Sequence, residues 1–106
     1  MTAKEFILGF QDRVNPEALE GKGDTNFHFK ISGDEGGEFT AIIENEELKV
    51  QEGLHGESKC VITTSDETLM GIVTGKKKPM SAMMFGKLKV SSLPELTKFA
   101  KPLGLM

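Results

Sequence analysis

Phe27-His28-Phe29-Lys30-Ile31-Ser32 is followed by Phe39-Thr40-Ala41-Ile42-Ile43-Glu44 and then by Leu48-Lys49-Val50. In the first run Phe27, Phe29 and Ile31 alternate with His28, Lys30 and Ser32. In the second, Phe39, Ala41 and Ile43 alternate with Thr40, Ile42 and Glu44. A period of two marks strands with one buried face. Gly33-Asp34-Glu35-Gly36-Gly37 and Asn45-Glu46-Glu47 separate the runs as turns, so the three strands read as an antiparallel meander. Gly53 to Gly56 breaks the pattern, and Cys60-Val61-Ile62-Thr63-Thr64 reads as a fourth strand.

Helix signals flank this sheet. Thr2 and Glu5 have capping-box spacing, and Phe6, Phe10 and Val14 follow as one apolar stripe with Ala3 and Ile7, which predicts a single helix ending at Asn15-Pro16. Thr64 and Glu67 form a second capping-box pattern before Leu69, Met70, Ile72 and Val73, with Gly75 as the helix stop. Lys76-Lys77-Lys78-Pro79 opens a short element carrying Met80, Met83, Met84 and Phe85, which Gly86 ends. Leu88 and Val90 alternate with Lys87 and Lys89 as a fifth strand. Ser92 and Glu95 form a third capping-box pattern, ahead of Leu93, Leu96, Phe99 and Ala100, and Pro102 and Gly104 stop that helix. The order predicts an α+β fold with a mostly antiparallel sheet covered on one face. Residues 1–106 read as a single domain without linker or repeat.

Composition narrows the function. The chain has 106 residues, 38% hydrophobic and 27% charged, which suits one soluble globular domain. No apolar run approaches the ~18 residues of a membrane span. Lys4 and Glu5 interrupt the first turn and no small-residue cleavage site follows, which argues against a signal peptide. One cysteine, Cys60, forms no internal disulfide, which suggests a reducing compartment. The expectation is a cytoplasmic protein. The sequence pI near 5.4 disfavours binding to nucleic acid. Charge is nonetheless split: residues 1–75 carry six basic and fifteen acidic side chains, whereas residues 76–106 carry seven lysines and one glutamate. That basic third fits a solvated face or a contact with an anionic head group or membrane surface.

Catalytic groups are scarce. His28 falls on the polar phase of the first strand and His55 in a Gly-flanked turn, and neither has a partner at metal-ligand spacing. Cys60 reads as a buried strand residue. Ser65-Asp66 lacks a nucleophile elbow and is explained by helix capping. Gly71 to Lys76 is one residue short of a phosphate loop and lies at a helix end, where the dipole repels anions. The methionine cluster at Met80, Met83 and Met84 fits either core filling or an adaptable binding surface.

Gly75-Lys76-x-x-Pro79-x-Ser81-Ala82-Met83-Met84-x-Gly86-Lys87-Leu88-Lys89-Val90 resembles the signature of the sterol carrier protein 2 domain family. The upstream Val61 to Leu69 segment is similar to that family's strand-then-helix stretch, and the element order agrees along nearly the whole chain. The resemblance implies a five-stranded sheet packed on helices with an apolar tunnel between them. It also implies binding and carriage of lipids (fatty acid, fatty acyl-CoA, sterol-like molecule or phospholipid) with low selectivity. No catalytic residue, cofactor or metal is implied. The chain ends Gly104-Leu105-Met106, so the peroxisomal tripeptide of some relatives is absent. Phe85 stands where some relatives carry a polar Gln, which points to a more purely apolar ligand.

The expected lining is Phe6 and Phe10 from the first helix, Phe39 and Ile43 from the second strand, and Met80, Met83, Met84 and Phe85 from the short element. Leu96, Phe99 and Leu103 complete it from the C-terminal segment, which is also the expected gate because Pro102 and Gly104 loosen its anchorage. Lys76, Lys77 and Lys78 are candidates for a lipid head group. The partners expected are a lipid ligand and a transient membrane-surface or enzyme contact. Two rivals stand beside the carrier: an accessory module presenting lipid intermediates to a biosynthetic enzyme, and a small thioester hydrolase using His55, Cys60 or Ser65.

Overall fold

The structure is a computed structural model that describes residues 1–105. Five strands form one sheet: β1 (Thr25–Ser32), β2 (Gly37–Glu44), β3 (Glu47–Glu52), β4 (Cys60–Ser65) and β5 (Leu88–Val90), in the order β3-β2-β1-β4-β5. The meander expected from the alternation is present, with β1 antiparallel to β2 and β2 to β3. β5 is antiparallel to β4, and β4 runs parallel to β1, so the sheet is mixed. The register aligns Phe39, Phe29 and Ile62 in one cross-strand row and Ala41, Phe27 and Cys60 in the next. All six point to the same face, which is buried.

The parallel pair follows from the path between β3 and β4. The segment Gly53 to Lys59 crosses the outer face of the sheet diagonally, from one edge back to the far side of β1. Thr40 lies on that outer face yet is fully buried, because the crossing segment covers it. Its hydroxyl donates to Gly53 O at 2.7 Å and accepts the His55 N–H at 2.9 Å. His28 Nε2–H donates to His55 O at 3.0 Å, and His55 Nε2–H donates to Glu52 O at 2.8 Å. The two histidines are thus fasteners of the crossover.

Five helices are present: α1 (Ala3–Leu8), α2 (Phe10–Arg13), α3 (Asp66–Val73), α4 (Pro79–Met84) and α5 (Leu93–Ala100), with a 3-10 turn at Pro16–Leu19. The single N-terminal helix expected from the Phe6-Phe10-Val14 stripe is interrupted at Gly9. Arg13 folds back over the break, donating from Nη2 to Phe6 O at 2.6 Å and stacking 4.4 Å from the Phe6 ring centroid. A Cβ on Gly9 would lie 2.6 Å from Arg13 Nη1, so glycine there makes room for the guanidinium.

Caps show where burial overrides local pattern. The Thr2–Glu5 box forms in both directions, and the Thr2 backbone N–H that donates to the Glu5 carboxyl, with the Thr2 side chain nearby, holds that carboxyl below its usual value. The Thr64–Glu67 box does not form. Thr64 points into the buried face of β4 and donates to Lys87 O at 2.8 Å, and the cap moves one residue on to Ser65, whose Oγ accepts the Thr68 N–H at 3.0 Å. The Ser92–Glu95 box is also absent: Glu95 instead accepts the Thr25 hydroxyl, tying α5 to β1.

α3 and α4 end in the same way. Gly75 N–H donates to Ile72 O and Lys76 N–H to Gly71 O; Gly86 N–H donates to Met83 O and Lys87 N–H to Ala82 O. These are Schellman motifs, which require a left-handed residue, and φ is +80° at Gly75 and +73° at Gly86. The opposite case is the β2–β3 turn, where Asn45 and Glu46 adopt φ of +52° and +66°. That turn geometry favours Asn-Gly.

Two substitutions test these backbone assignments by urea unfolding. A Cβ on Gly86 meets no atom within 4 Å, so Gly86→Ala should cost about 1 kcal/mol through its backbone alone. Glu46→Gly should stabilise by about 1 kcal/mol by relieving the left-handed residue. A neutral result for both would contradict the left-handed geometry.

Candidate functional site

All five helices lie against the inner face of the sheet, but they fill it unevenly. Over β1 and β2 the interior is solid phenyl. Phe10 packs on Phe29 with ring centroids 5.8 Å apart, and Phe99 meets Phe27 edge-to-face at 5.7 Å. Phe6 meets Phe10 at 5.1 Å. Phe39, Ile43 and Leu103 are also buried in this mass. Such pairs add about 0.5–1.5 kcal/mol each beyond area burial.

Over β4 and β5 a hollow of about 370 Å³ remains, with Phe29 the aromatic residue of its lining. Phe29, Ile62 and Leu88 form its floor. Leu69 and Ile72 of α3 form one wall, Pro79, Met80 and Met83 of α4 a second, and Leu93, Leu96, Thr97 and Ala100 of α5 a third, with Leu105 beside them. Thr97 is the one polar residue of the lining. The rim reaches the surface at Met80 and Leu93, which are 69% and 42% exposed. Volume and lining suit an aliphatic guest, since small-molecule pockets occupy about 300–1,000 Å³.

Of the lining expected from sequence, Met80, Met83 and Leu96 lie on this hollow. Phe6, Phe10, Phe39, Ile43, Phe99 and Leu103 are instead in the solid core, and Met84 and Phe85 project from α4 into solvent, 83% and 75% exposed. The floor and the α3 wall were not anticipated. Leu69 and Ile72, three apart on a helix following a strand, carried the signal for that wall. Lys76, Lys77 and Lys78 are not on the lining. They border a separate surface hollow with Ser81, Phe85 and Lys87. Lys77 bends back along α3, its Nζ 3.7 Å from a Glu67 carboxylate oxygen.

The C-terminal segment is anchored, contrary to the loosening expected of Pro102 and Gly104. Leu105 N–H donates to Ala100 O at 2.8 Å and Gly104 N–H to Lys101 O at 3.1 Å, a third closure of the kind that ends α3 and α4. Leu103 is 2% exposed.

The groups considered for catalysis are occupied elsewhere. Ser65 caps α3. Asp66 accepts the Glu35 N–H at 3.0 Å and thereby pins the β1–β2 turn. His55 belongs to the crossover on the outer face. Cys60 is buried in β4, its Sγ–H directed at Ser92 O at 3.5 Å. Burial pushes the Cys60 thiol up, and the neighbouring Ser92 backbone and Ser91 side chain only partly oppose that. Among the described residues no group of three or more His, Cys, Asp or Glu side chains is placed to hold a metal ion, and no helix is long and apolar enough to cross a membrane.

Fold and hollow together define an α+β domain in which a solid aromatic core adjoins an apolar compartment. Residues 4–100 match the model of the SCP-2 sterol transfer family, and the chain belongs to that family. It is 37% identical over 68 residues to sterol carrier protein 2 of Gallus gallus, a match covering 61% of this chain and 12% of that protein. Solved structures share the fold. The stereoselective inverting sec-alkylsulfatase Pisa1 from Pseudomonas sp. superposes with a TM-score of 0.77 at 18% identity, covering 100% of this chain and 16% of the sulfatase. The palmitated form of SCP2L2 from Aedes aegypti superposes with a TM-score of 0.69 at 23% identity, covering 97% of this chain and 95% of that one. The match thus spans only a small part of the chicken protein and of the sulfatase.

The Cys60 environment predicts a slow thiol. Reaction with a disulfide reagent at neutral pH should run about a hundredfold slower than with a free thiol and reach full rate in urea. Because the folded chain keeps a proton that the unfolded chain releases, stability should also fall as pH rises past the usual thiol range, and Cys60→Ala should remove that part of the fall. The chain has no tyrosine to titrate alongside it. Rapid modification of the folded protein would place Cys60 at the surface instead.

Proposed function

We propose that this domain binds and carries a lipid whose aliphatic part lies in the hollow between β4–β5 and helices α3, α4 and α5, without catalysing a reaction on it. The observation that carries the reading is the almost entirely apolar lining of that compartment beside an otherwise close-packed interior. Each methylene moved from water into it returns about 0.8 kcal/mol, offset by the cost of ordering the chain. Burial of this kind does not discriminate between chemistries. Fatty acid, fatty acyl-CoA, sterol-like and phospholipid guests therefore share one site, and selectivity is low. Met80 and Met83 adapt the wall to different guests, as unbranched thioethers do. Membership of the SCP-2 sterol transfer family supports the same reading.

A second reading is an accessory module that presents a lipid intermediate to an enzyme. It is supported by the occurrence of this fold within a longer enzyme chain. The two readings share the compartment and differ in where the lipid is delivered.

Leu96 is half-buried at the rim, so a charge there reaches the guest with little disturbance of the core. Leu96→Glu should weaken binding of a fluorescent fatty acid at least about tenfold, the cost of a carboxylate against apolar surface. Thr63→Glu, on the exposed outer face of β4, should leave affinity unchanged. Equal affinity in the wild type and Leu96→Glu would move the ligand elsewhere.

A further inference from the structure

α4 presents the wrong side to water. Its inward residues are Ala82, buried, and Met83, half-buried; its outward residues are Met80, Ser81, Met84 and then Phe85. No charged residue occurs from Pro79 to Phe85, yet lysines stand immediately before this stretch at 76–78 and after it at 87 and 89. The large apolar side chains exposed among the described residues are Met1, Leu54, Met80, Met84, Phe85 and Leu93. Four of these belong to α4, its end and the start of α5, and Met80 and Leu93 also line the hollow. The exposed patch is therefore continuous with the mouth of the compartment. Scattered exposed hydrophobes need no explanation, but a contiguous patch marks an interaction surface.

We infer that Met84 and Phe85, with Lys76, Lys78 and Lys87 bordering a hollow beside Phe85, form the surface by which this protein docks on an anionic lipid bilayer, with the mouth of the compartment turned toward the membrane. Charge complementarity selects this occupant. Lys76, Lys78 and Lys87 have no acidic partner among the described residues, and they share a hollow with the Phe85 ring. An apolar tip that enters the acyl boundary, with ammonium groups beside it to meet the phosphates, matches the layering of a membrane interface. Lysines at 76–78, 87 and 89 flank the uncharged stretch from Pro79 to Phe85, so this face attracts negative charge. The lysines that lie off the apolar lining thus acquire a role toward head groups of the membrane instead of the head group of the bound guest. The purpose of the docking rests on the lipid-carrier reading above; its location rests on the patch alone.

Co-sedimentation with phosphatidylcholine vesicles, with and without phosphatidylserine, tests this. The wild type should bind the phosphatidylserine vesicles, bind phosphatidylcholine alone at least tenfold more weakly, and lose binding as salt is raised. Met84→Ser with Phe85→Ser should reduce vesicle binding at least tenfold, and so should Lys76→Glu with Lys78→Glu. Both pairs should retain the wild-type affinity for a fluorescent fatty acid in vesicle-free buffer, because none of the four side chains lines the hollow. Loss of fatty acid affinity in the wild type would overturn the carrier reading while leaving the docking result intact. Three outcomes would overturn the docking inference: equal binding to both vesicle types, binding unchanged in both variants, or a dimer of the wild type that Met84→Ser with Phe85→Ser dissolves while vesicles are ignored. The last would assign the patch to a second copy of the chain.

Discussion

The rings of Phe27 and Phe29, projecting from the central strand, are the contact on which the rest depends. Phe10 clamps Phe29 from one side and Phe99 clamps Phe27 from the other. Helices α2 and α5, from opposite ends of the chain, are thereby fixed to the same strand, and the sheet's inner face is closed over β1 and β2. Removing such a ring from a core costs about 3–5 kcal/mol, a large share of what a domain of this size has. The arrangement also uses up the aromatic supply. Of seven phenylalanines, all but Phe85 are buried in or against this mass. The half of the sheet formed by β4 and β5 is left to leucine, isoleucine and methionine on three short helices. Side chains of that size, hung from α3, α4 and α5, do not span the gap, and the compartment is the remainder.

What keeps those helices from collapsing into the gap is the way they end. The stretch from Gly75 to Val90, which carries the family resemblance, turns out to specify a frame and not a chemistry. Gly75 stops α3, Pro79 starts α4 at the position where its missing N–H is harmless, and Gly86 stops α4 before Leu88 enters the sheet. Two glycine–lysine pairs are two helix ends. The lysine after each glycine donates its backbone N–H to close the motif, which leaves its side chain free for the surface. Spacing of the helix stops therefore fixes α4 as a rigid strut over β5.

Much of this was legible in the residues. The alternation at Phe27 to Val50 yields the meander, the glycine stops mark the ends of α3 and α4, and the alternation of Leu88 and Val90 and the apolar helical stripes yield a fifth strand and a covering of helices, all of which are present. What escaped has one physical cause: local pattern cannot see the partner a side chain finds across the fold. Thr64 has cap spacing but lies in the inward row of β4, where burial outranks capping. Glu95 has the second position of a capping box but finds the Thr25 hydroxyl. The parallel pairing of β1 and β4 depends on a crossover held by Thr40 and the two histidines, none of which carries a local signal for it. The compartment suffers most. Periodicity shows that Phe10, Met83 and Met84 are apolar and helical, but which of them meets a ring, a hollow or water depends on neighbours distant in sequence.

The compartment constrains stability as well as function. If it were enclosed and dry, a void of about 370 Å³ would cost on the order of 9 kcal/mol at about 24 cal/mol per Å³. That rivals the whole ~5–15 kcal/mol of an ordinary domain, so a sealed empty form is not sustainable. The structure avoids it by leaving the rim open at Met80 and Leu93, where water or a guest can enter, and by building part of the wall from flexible methionine. A phenylalanine in place of Met83 would stiffen that wall and narrow the compartment without filling it. The scarcity of rings in this half of the interior is thus a stability sacrifice. The solid aromatic half compensates for it, whereas an interior that packed completely on itself would leave no room for a guest.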